Sequence, residues 1–343
     1  MTVTIELSPS GITFPAEKGE TILDAAHRAQ VLLPYGCRNG ACGSCRGRIL
    51  AGEIGYEGNA GPRGLSERER AKGWALLCLA HAHTDARILA QPFDDSQSLK
   101  VRTLPGRVAQ KVLLAHDVMG LELVLPPTER LQYLAGQYID ILLPDGRRRA
   151  FSLANPPHDD RALELHIRRV PGGLFSERVF DDLPIRSLLR LQGPLGSFYL
   201  RAQSGRPRIL VAGGTGFAPI KAMIENALHE GIEAPIHLYR GVRAERDLYL
   251  DELPRRWAVE CAQLTYTPVL SEPEPGGDWR GKTGFVHAAV LEDFPDLRAT
   301  EAYASGPPAM VDAIRDAFPD HGLELEHLFS DTFEYAYETG HDA

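Results

Sequence analysis

Four of the five cysteines, Cys37, Cys42, Cys45 and Cys78, are spaced like the ligands of a metal centre. The first three form a C-x4-C-x2-C run, and the fourth follows after 32 intervening residues. This spacing is typical of plant-type [2Fe–2S] sites, in which four thiolates hold two irons. Because such a cluster moves one electron at a time, we expect the rest of the chain to supply that electron.

Two other uses of these cysteines fit the sequence less well. A structural zinc site usually has two C-x2-C pairs or a Cys/His mixture, and here only Cys42 and Cys45 form such a pair. Disulfides suit small secreted domains, and residues 1–6 show neither a basic nor an apolar signal region. Glycines at 36, 40, 43 and 47 favour a tight loop with amides close to sulfur. We expect the fifth cysteine, Cys261, to be an ordinary buried thiol.

Composition excludes several classes of protein. A length of 343 residues predicts two or three domains, each able to bury a core. The net charge of −9 argues against a nucleic-acid-binding protein. There is no 18-residue apolar run, so no membrane span is expected. Four thiols kept for a metal fit a reducing compartment, and we therefore expect a cytoplasmic protein.

The chain divides into three predicted domains and a tail. Residues 1–93 read as a small α+β unit, with a hairpin over 2–16, a helix capped by Thr21, and a second helix opened by Ser66 and Glu69. A polar linker over 92–98 follows. Residues 100–203 read as short strands with one helix over 174–180, which suggests a small barrel.

From residue 206 the pattern changes to alternating strands and helices, which predicts an open α/β sheet up to residue 333. Its ligands are expected at the carboxyl ends of the strands. One of its helices is predicted over 247–259. Residues 334–343 form a polar tail that we expect to be disordered.

Two short motifs in these domains can hold a nucleotide. Gly214 and Gly216 stand between a predicted strand and a helix, where bare amides attract phosphate. Pro219 occupies the place of a third glycine, so a plain tight turn stays an alternative. Upstream, Arg149, Phe151 and Ser152 can hold a pyrophosphate, cover a flavin ring and bond its edge. The alternative there is an exposed arginine beside a core phenylalanine.

Six motifs follow one another along the chain: the cysteine run, G-Q-Y (Gly136, Gln137, Tyr138), R-x-F-S (Arg149 to Ser152), G-G-x-x-S (Gly172, Gly173, Ser176), G-G-T-G-F-A-P (Gly213 to Pro219) and G-P-P-x-M (Gly306 to Met310). This order resembles the ferredoxin–NAD(P)H reductase superfamily with an N-terminal [2Fe–2S] domain, and the resemblance covers nearly the whole chain. Within that superfamily, the sequence is most similar to the CDP-6-deoxy-Δ3,4-glucoseen reductases.

The resemblance implies a multidomain α+β fold: a β-grasp ferredoxin domain, a six-stranded antiparallel FAD-binding barrel and an α/β NAD(P)-binding domain with a parallel sheet. It also implies roles for named residues. The four cysteines hold the cluster, and Ser152, Ser305 and Phe333 take part in hydride transfer around the flavin. The remaining cofactor contacts that it implies are Gly136, Gln137, Tyr138, Arg149, Phe151, Gly172, Gly173, Ser176, Gly213, Gly214, Thr215, Gly216, Gly306 and Pro307.

Two positions depart from the family pattern. Phe151 stands where a tyrosine is usual, so ring stacking is kept and a hydroxyl bond is lost. Ser305 stands where a cysteine usually precedes the Gly-Pro pair near the nicotinamide. We expect this serine to affect the rate of hydride transfer rather than its existence.

The implied activity passes electrons from NAD(P)H to FAD, to [2Fe–2S] and then to an external protein acceptor. The coenzyme releases two electrons as a hydride and the cluster accepts one, whereas a flavin handles both. In the most similar group the acceptor is a pyridoxamine-phosphate-dependent dehydrase of 3,6-dideoxysugar synthesis. The alternatives are the reductase component of an aromatic-ring or alkane oxygenase, and a ferredoxin-type carrier with an inactive reductase half.

Two binding details are expected from the sequence. The acceptor should dock around Arg38, Asn39, Ala41 and Ser44, where the cluster comes closest to solvent. NADH is favoured over NADPH, with the choice made in residues 240–247. Arginines there can read a 2′-phosphate, whereas Glu245 or Asp247 can hold a ribose diol.

Overall fold

The computed structural model describes residues 2–57, 61–90, 92, 99–201 and 204–333. Two compact units are present. The first contains residues 1–99 together with two short later segments, Gly196–Phe198 and Ser330–Thr332. The second contains the remainder of the chain. The predicted tail, and all of the predicted linker except Pro92, lie outside the described residues.

The first unit is built on a five-stranded mixed sheet in the order β2-β1-β7-β3-β5. Its first strand alternates between exposed and buried side chains, and Ile5 and Leu7 are fully buried in the core. The strands β4 and β6 form a separate two-stranded sheet. The strands are β1 (Thr2–Ser8), β2 (Thr13–Glu17), β3 (Arg46–Ala51), β4 (Ile54–Tyr56), β5 (Trp74–Leu76), β6 (Ala80–Ala82) and β7 (Ala86–Leu89).

Both predicted helices of this unit form where their caps lie. Helix α1 (Ile22–Arg28) begins after Thr21, whose side chain accepts a hydrogen bond from the Asp24 amide. Helix α2 (Glu67–Ala71) opens with the reciprocal bonds of a capping box between Ser66 and Glu69. The local sequence was therefore sufficient to predict both starts.

The second unit begins with a six-stranded antiparallel sheet in the order β11-β10-β13-β8-β9-β12. A bridge between Leu153 and Leu165 joins its two outer strands, so the sheet closes into a barrel around a core of buried leucine, isoleucine and valine. One helix, α3 (Leu174–Asp181), follows the strand β12. The strands are β8 (Arg102–Ala115), β9 (Val118–Val124), β10 (Tyr138–Leu142), β11 (Arg148–Ser152), β12 (Leu163–Arg168) and β13 (Leu188–Leu195).

An α/β sheet in the order β17-β16-β15-β14-β18-β19 completes the second unit. The pairs from β17 to β18 are parallel, and the central strand β14 is buried along its whole length. The strands are β14 (Arg208–Gly213), β15 (Ile236–Val242), β16 (Leu264–Leu270), β17 (Lys282–Thr283), β18 (Glu301–Gly306) and β19 (Leu328–Thr332). The helices are α4 (Phe217–His229), α5 (Glu252–Glu260), α6 (Val286–Asp293) and α7 (Pro308–Ala317).

The predicted helix over 247–259 was wrong at its start. Residues Glu245–Asp247 form a separate 3-10 turn, in which the Asp247 carboxylate accepts a hydrogen bond from the Ala244 amide. Leu250 then adopts a left-handed backbone with a φ of 53°, which a right-handed helix cannot continue through. The helix therefore begins at Glu252. Within the described residues, every helix is too short or too polar to span a bilayer.

Candidate functional site

The four candidate ligands lie in the first unit as two pairs. Cys37 and Cys42 face each other across the loop: the Cys37 amide lies 3.3 Å from the Cys42 Sγ, and the Cys42 amide lies 3.2 Å from the Cys37 Sγ. Cys45 and Cys78 are hydrogen-bonded to each other through their thiols. Cys37 is half-buried, and the other three are buried.

Each pair contains one thiol whose charged form is favoured. The hydrogen bond from Cys37 lowers the pKa of Cys42 to about 5, and the bond from Cys45 lowers the pKa of Cys78. Two pairs match a [2Fe–2S] cluster, in which each iron takes two thiolates. A single zinc ion would need four close sulfurs. Among the described residues, the one group whose three ligand atoms converge within 4.8 Å is Glu324, Glu326 and His327. The thiol geometry therefore fits the cluster better than zinc.

The glycines of the cysteine loop are needed for two different reasons. Gly40 and Gly43 have φ values of 79° and 73°, the left-handed region that glycine tolerates best. Gly36 and Gly47 do not have positive φ. A Cβ on Gly36 would lie 2.9 Å from the Cys42 Sγ, so its hydrogen leaves room beside the sulfur.

Only part of the predicted docking surface is exposed. Arg38 and Asn39 are exposed, beside the half-buried Cys37. Ala41 is buried, and the Ser44 hydroxyl donates to the carbonyl of Ser330. The prediction was therefore wrong for Ala41, whereas Ser44 is half-buried with its hydroxyl bonded to a distant segment of the chain.

The candidate flavin residues Arg149, Phe151 and Ser152 share the strand β11. Phe151 is half-buried, and its ring lies 5.4 Å from that of Phe175 at the start of α3. Ser152 is buried and pairs with Tyr138 on the neighbouring strand. The G-Q-Y motif and the R-x-F-S motif, which are separate in sequence, are thus brought side by side. The arrangement suits a group that needs an arginine, an aromatic face and a hydroxyl.

Gly136 and Gln137 form the turn that leads into this strand pair. Gly136 has a φ of 104°. The side chain of the buried Gln137 accepts a hydrogen bond from the Leu134 amide at 2.8 Å. The backbone carbonyl of Gln137 accepts another from the Leu153 amide. In this structure Gln137 therefore stiffens the turn.

The loop before α3 is held from within. Ser176 is buried, and its hydroxyl accepts a hydrogen bond from the Val170 amide at 3.2 Å and lies 3.1 Å from the Gly173 carbonyl oxygen. A Cβ on Gly173 would lie only 2.6 Å from the Ser176 Oγ, so a larger residue there would displace the Ser176 hydroxyl. Gly172 has a φ of 76° and its amide donates to Glu177. Ser176 thus shapes a loop whose helix terminus is suited to phosphate.

A cleft of about 760 Å³ opens between the barrel and the carboxyl ends of the α/β strands. Its volume lies within the range of small-molecule sites, and its position matches the binding edge of open α/β sheets. The predicted residues Gly213, Gly214 and Pro307 line it. Thr215 and Gly216 are buried and form the turn behind it.

The turn at Gly213–Gly216 is packed against the end of β18. A Cβ on Gly216 would lie 2.0 Å from the Ser305 carbonyl oxygen, and one on Gly306 would lie 2.8 Å from that of Gly213. Ser305 has no exposed surface, and its hydroxyl has no hydrogen-bond partner among the described residues. The Phe333 amide donates to the Gly306 carbonyl. The predicted residues Ser305 and Phe333, far apart in sequence, are thus brought to one place.

Several residues of the cleft were missed by the sequence analysis. Asp117 and Arg168 come from the barrel, and their ion pair has an Nε–Oδ2 distance of 2.6 Å. An added Cβ on Gly214 would lie 2.8 Å from the Arg168 Nη1, which places this arginine at the glycine turn. Phe285 and Glu272 line the opposite side. No local motif marks these residues, because they meet only through tertiary packing.

Two further expectations about single residues were wrong. Arg240 is only 1 % exposed and donates to the Tyr249 carbonyl, with its guanidinium 3.9 Å from the Phe217 ring centroid, so it is not available to read a 2′-phosphate. Cys261 is half-exposed at the end of α5 and lines a second, polar cavity, so it is not an ordinary buried thiol.

Comparison with known proteins assigns all three parts of the chain. Residues 5–83 match the 2Fe-2S iron-sulfur cluster binding domain, residues 105–199 the oxidoreductase FAD-binding domain, and residues 210–316 the oxidoreductase NAD-binding domain. A CDP-6-deoxy-L-threo-D-glycero-4-hexulose-3-dehydrase reductase of Yersinia pestis is 39% identical over 333 residues, covering 97% of this chain and 99% of the relative. The chain belongs to the ferredoxin–NAD(P)H reductase superfamily.

Other members of the superfamily serve different systems. The terephthalate 1,2-dioxygenase reductase component 2 of Comamonas is 35% identical over 340 residues, covering 98% of each chain. The crystal structure of a cytochrome P450 reductase of Amycolatopsis matches with a TM-score of 0.73 and 34% identity, covering 97% of this chain and 99% of that one. The protein is an electron-transfer oxidoreductase that uses [2Fe–2S], FAD and NADH, as predicted.

Proposed function

We propose that the protein oxidises NADH in the cleft and delivers the electrons singly, through the cysteine loop, to a sugar dehydrase. The observation that carries the electron route is the pairing of four thiols in one unit, together with a nucleotide-sized cleft at the strand ends of the other. Bound FAD supplies the conversion of a two-electron donor into two one-electron transfers. The protein contributes binding, orientation and exclusion of water.

The site residues take the following roles in this proposal. Cys37 and Cys42 hold one iron, and Cys45 and Cys78 hold the other. Arg149 holds the FAD pyrophosphate with the amides of the loop that Ser176 shapes, while Phe151 lies against the isoalloxazine and Ser152 bonds its edge. Gly213, Gly214 and Pro307 bind the nicotinamide dinucleotide, and Ser305 and Phe333 border the place of hydride transfer. Ser305 is fully buried against Gly216, so it would act from behind the glycine turn and not from the surface of the cleft.

The dehydrase is proposed on the basis of the relatives. The Yersinia relatives named as dehydrase reductases are 39% identical to this chain, against 35% for the terephthalate dioxygenase reductases. The acceptor would be a pyridoxamine-phosphate-dependent dehydrase acting on a CDP-linked 6-deoxyhexulose. The described cysteines are all free thiols, which supports a reducing, cytoplasmic location.

The acceptor is proposed to dock on the exposed side of the cysteine loop, at Arg38 and Asn39. Cys37, the most exposed of the four candidate ligands, lies directly before them. The Arg38 guanidinium is oriented by Asp24, at 3.0 Å. Reversal of this charge, Arg38→Glu, should raise the KM for the acceptor and leave the KM for NADH unchanged. Arg87→Glu, at another exposed position of the same unit, is the control.

NADH is proposed as the preferred coenzyme because of one carboxylate in the cleft, that of Glu272. Glu272 lines it, 3.9 Å from Arg243, and can accept bonds from a ribose diol while repelling a 2′-phosphate. Glu245 does not line the cleft, and the Asp247 carboxylate already accepts from the Ala244 amide. Glu272→Gln should therefore reduce the ratio of kcat/KM for NADH to that for NADPH. An unchanged ratio would remove Glu272 from this role.

Reconstitution with candidate acceptors tests the assignment of the partner. The purified holoprotein and NADH are combined either with the CDP-6-deoxyhexulose dehydrase and its substrate, or with the oxygenase component of terephthalate dioxygenase and terephthalate. The expected result is NADH oxidation that depends on the dehydrase and its substrate, with a matching amount of deoxygenated sugar. Coupled turnover with the oxygenase component alone would instead support the second candidate function.

A further inference from the structure

The cysteine loop is bonded to a serine from the far end of the chain. The Ser330 hydroxyl donates to the Cys42 carbonyl at 2.7 Å, and the Ser44 hydroxyl donates to the Ser330 carbonyl at 2.6 Å. The two bonds run in opposite directions and form a reciprocal pair. Ser330 is only 3 % exposed, so water competes little for these bonds.

A second serine fixes the other end of the loop. The Ser197 hydroxyl donates to the Tyr35 carbonyl at 2.7 Å and lies 2.8 Å from the Tyr35 amide, whose hydrogen bond it accepts. The Ser197 amide also donates to the same carbonyl. Tyr35 precedes the first candidate ligand by two residues. The loop is thus held at both ends by segments that fold with the first unit although they come from later in the chain.

These bonds are placed for orientation rather than for core stability. The apolar core of the first unit is formed by its own strands and helices, for example by Ile5, Leu23 and Leu76. The Ser330 bond is made instead to the backbone of Cys42, a proposed iron ligand. Groups that bond the ligands of a metal centre fix the direction of those ligands and tune the metal.

Ser330 is close in sequence to Phe333, the aromatic residue proposed to border the flavin. Ser330 lies in β19, and Phe333 follows three residues later, with its amide bonded to the Gly306 carbonyl. The same short stretch of sequence therefore carries both the anchor of the cysteine loop and the aromatic residue proposed to border the flavin.

We propose that Ser330 is a positioning residue for electron transfer inside the protein: its bond to Cys42 holds the loop in the orientation that accepts an electron from reduced FAD. In this step the NADH-reduced flavin loses one electron and the cluster gains it, while the serine bonds are neither made nor broken. The inference rests on the proposed function for the FAD and cluster sites. It does not depend on which acceptor receives the electron.

The experiment follows flavin and cluster separately after anaerobic mixing of the holoprotein with NADH, without an acceptor. Absorbance gives the rate of flavin reduction, and rapid-freeze EPR gives the rate of cluster reduction. For Ser330→Ala, the ratio of cluster to flavin rates should fall, since one-electron transfer slows when the acceptor is no longer held in its best position toward the donor. The g values of the reduced cluster should also shift, because the backbone of a ligand has lost its hydrogen bond.

Two variants separate the hydroxyl from general damage. Ser330→Thr keeps the hydroxyl and should return the rate ratio to within about twofold of the parent. Thr84→Ala removes another hydroxyl of the same unit, one that accepts from the Glu53 amide and does not touch the cysteine loop. It should leave the ratio and the g values as in the parent.

Several outcomes would overturn the proposal. They are an unchanged ratio in Ser330→Ala, an equal fall in Thr84→Ala, or a Ser330→Thr variant as slow as the alanine variant. Failure of the proposed function has a different signature, since the parent protein itself would then show no cluster reduction by NADH.

Discussion

The cysteine loop and the nucleotide cleft are two sites built in opposite ways. Three of the four cysteines fall between residues 37 and 45, and glycines in the same stretch shape the turns around them. The cleft is lined by residues that lie between 116 and 313 in the sequence, on strand ends of the sheet and on loops of the barrel. The ligand spacing of the first site is mainly local, although distant serines hold its loop, and the second site exists only after two domains have packed.

A buried charge network shows what holds the second site together. The Lys221 Nζ, on α4, lies 3.0 Å from the Ala154 carbonyl oxygen and from carboxylate oxygens of Glu164 and Glu225. Glu164, on the barrel strand β12, also accepts from the His166 Nε2 at 2.8 Å. Burial lowers the pKa of His166, so the ring is neutral and donates without adding a charge. The barrel and the α/β sheet are thereby joined by bonds that no local motif predicts.

The largest difference between the two sites should be seen when a cysteine is removed, which should abolish the cluster and spare flavin reduction. Cys78→Ala leaves Cys45 without its partner, so the cluster should be lost and the iron content should fall from about two per chain to nearly none. The cleft does not depend on this loop, so NADH should still bleach the flavin. Iron analysis and anaerobic NADH titration measure the two effects.

Cys261→Ala is the matched control for this change, since this cysteine lines the second cavity of the other unit. It should keep the iron content and the cluster spectrum of the parent. If Cys78→Ala retained two irons, or lost flavin reduction together with the cluster, the two sites would not be separable as described.

The reverse result, an impaired cleft with an intact cluster, is expected when a methyl group is added to the glycine turn of the cleft. In Gly216→Ala the new Cβ would lie 2.0 Å from the Ser305 carbonyl oxygen, so the turn must move. We expect kcat/KM for NADH to fall by about 100-fold, the size of effect seen when a reacting group is displaced by about 1 Å. The iron content should stay as in the parent.

Gly277→Ala provides the control, because its nearest neighbour would be 3.1 Å away, at the Glu274 carbonyl oxygen. It should retain kcat/KM for NADH within about twofold of the parent. Equal losses in both variants would mean that the close packing of Gly216 against Ser305 is not what the cleft requires.

The same contrast explains what the sequence could predict. The cysteine spacing, the caps at Thr21 and Ser66 and the glycine turn at Gly214 are local signals, and the structure has the corresponding elements. The fold class was also predicted, because strand and helix periodicities differ along the chain and the family resemblance is nearly complete.

What could not be predicted depends on contacts between distant segments. The sequence around Arg240 does not distinguish a buried arginine from an exposed one, because its burial against Phe217 and Tyr249 is decided by packing. Ser330 gave no signal, since a lone serine near the end of a chain has no distinctive spacing. The partial burial of Ser44 likewise depends on its bond to Ser330, far along the chain.

A smaller effect is expected from breaking the charge network. Lys221→Met leaves Glu164 and Glu225 without their shared cation, and breaking a buried ion pair typically costs about 3–5 kcal/mol. The second unit should therefore unfold at lower urea concentration, as followed by flavin fluorescence, while the iron content is retained. Lys18→Met changes an exposed lysine of the first unit and should leave the flavin transition in place. A Lys221→Met transition equal to that of the parent would show that the network does not stabilise the junction.

The smallest predicted effect is a pH dependence in the same network. Burial alone would raise the pKa of Glu164, but the bond from His166 and the charge of Lys221 outweigh it and lower the pKa from 4.5 to about 2. A carboxylate whose pKa is lower in the folded state stabilises the fold fully above its unfolded pKa, and this stabilisation is lost as the pH falls. The difference in unfolding free energy between the parent and Glu164→Gln should therefore shrink by roughly 1 kcal/mol from pH 6 to pH 4. Urea titrations of both proteins at these two pH values measure the change. A difference that is constant or grows toward pH 4 would mean that folding does not lower the pKa of Glu164. Because the cysteine loop lies in the other unit, its contribution is common to both proteins, so the change reports on the junction beside the cleft.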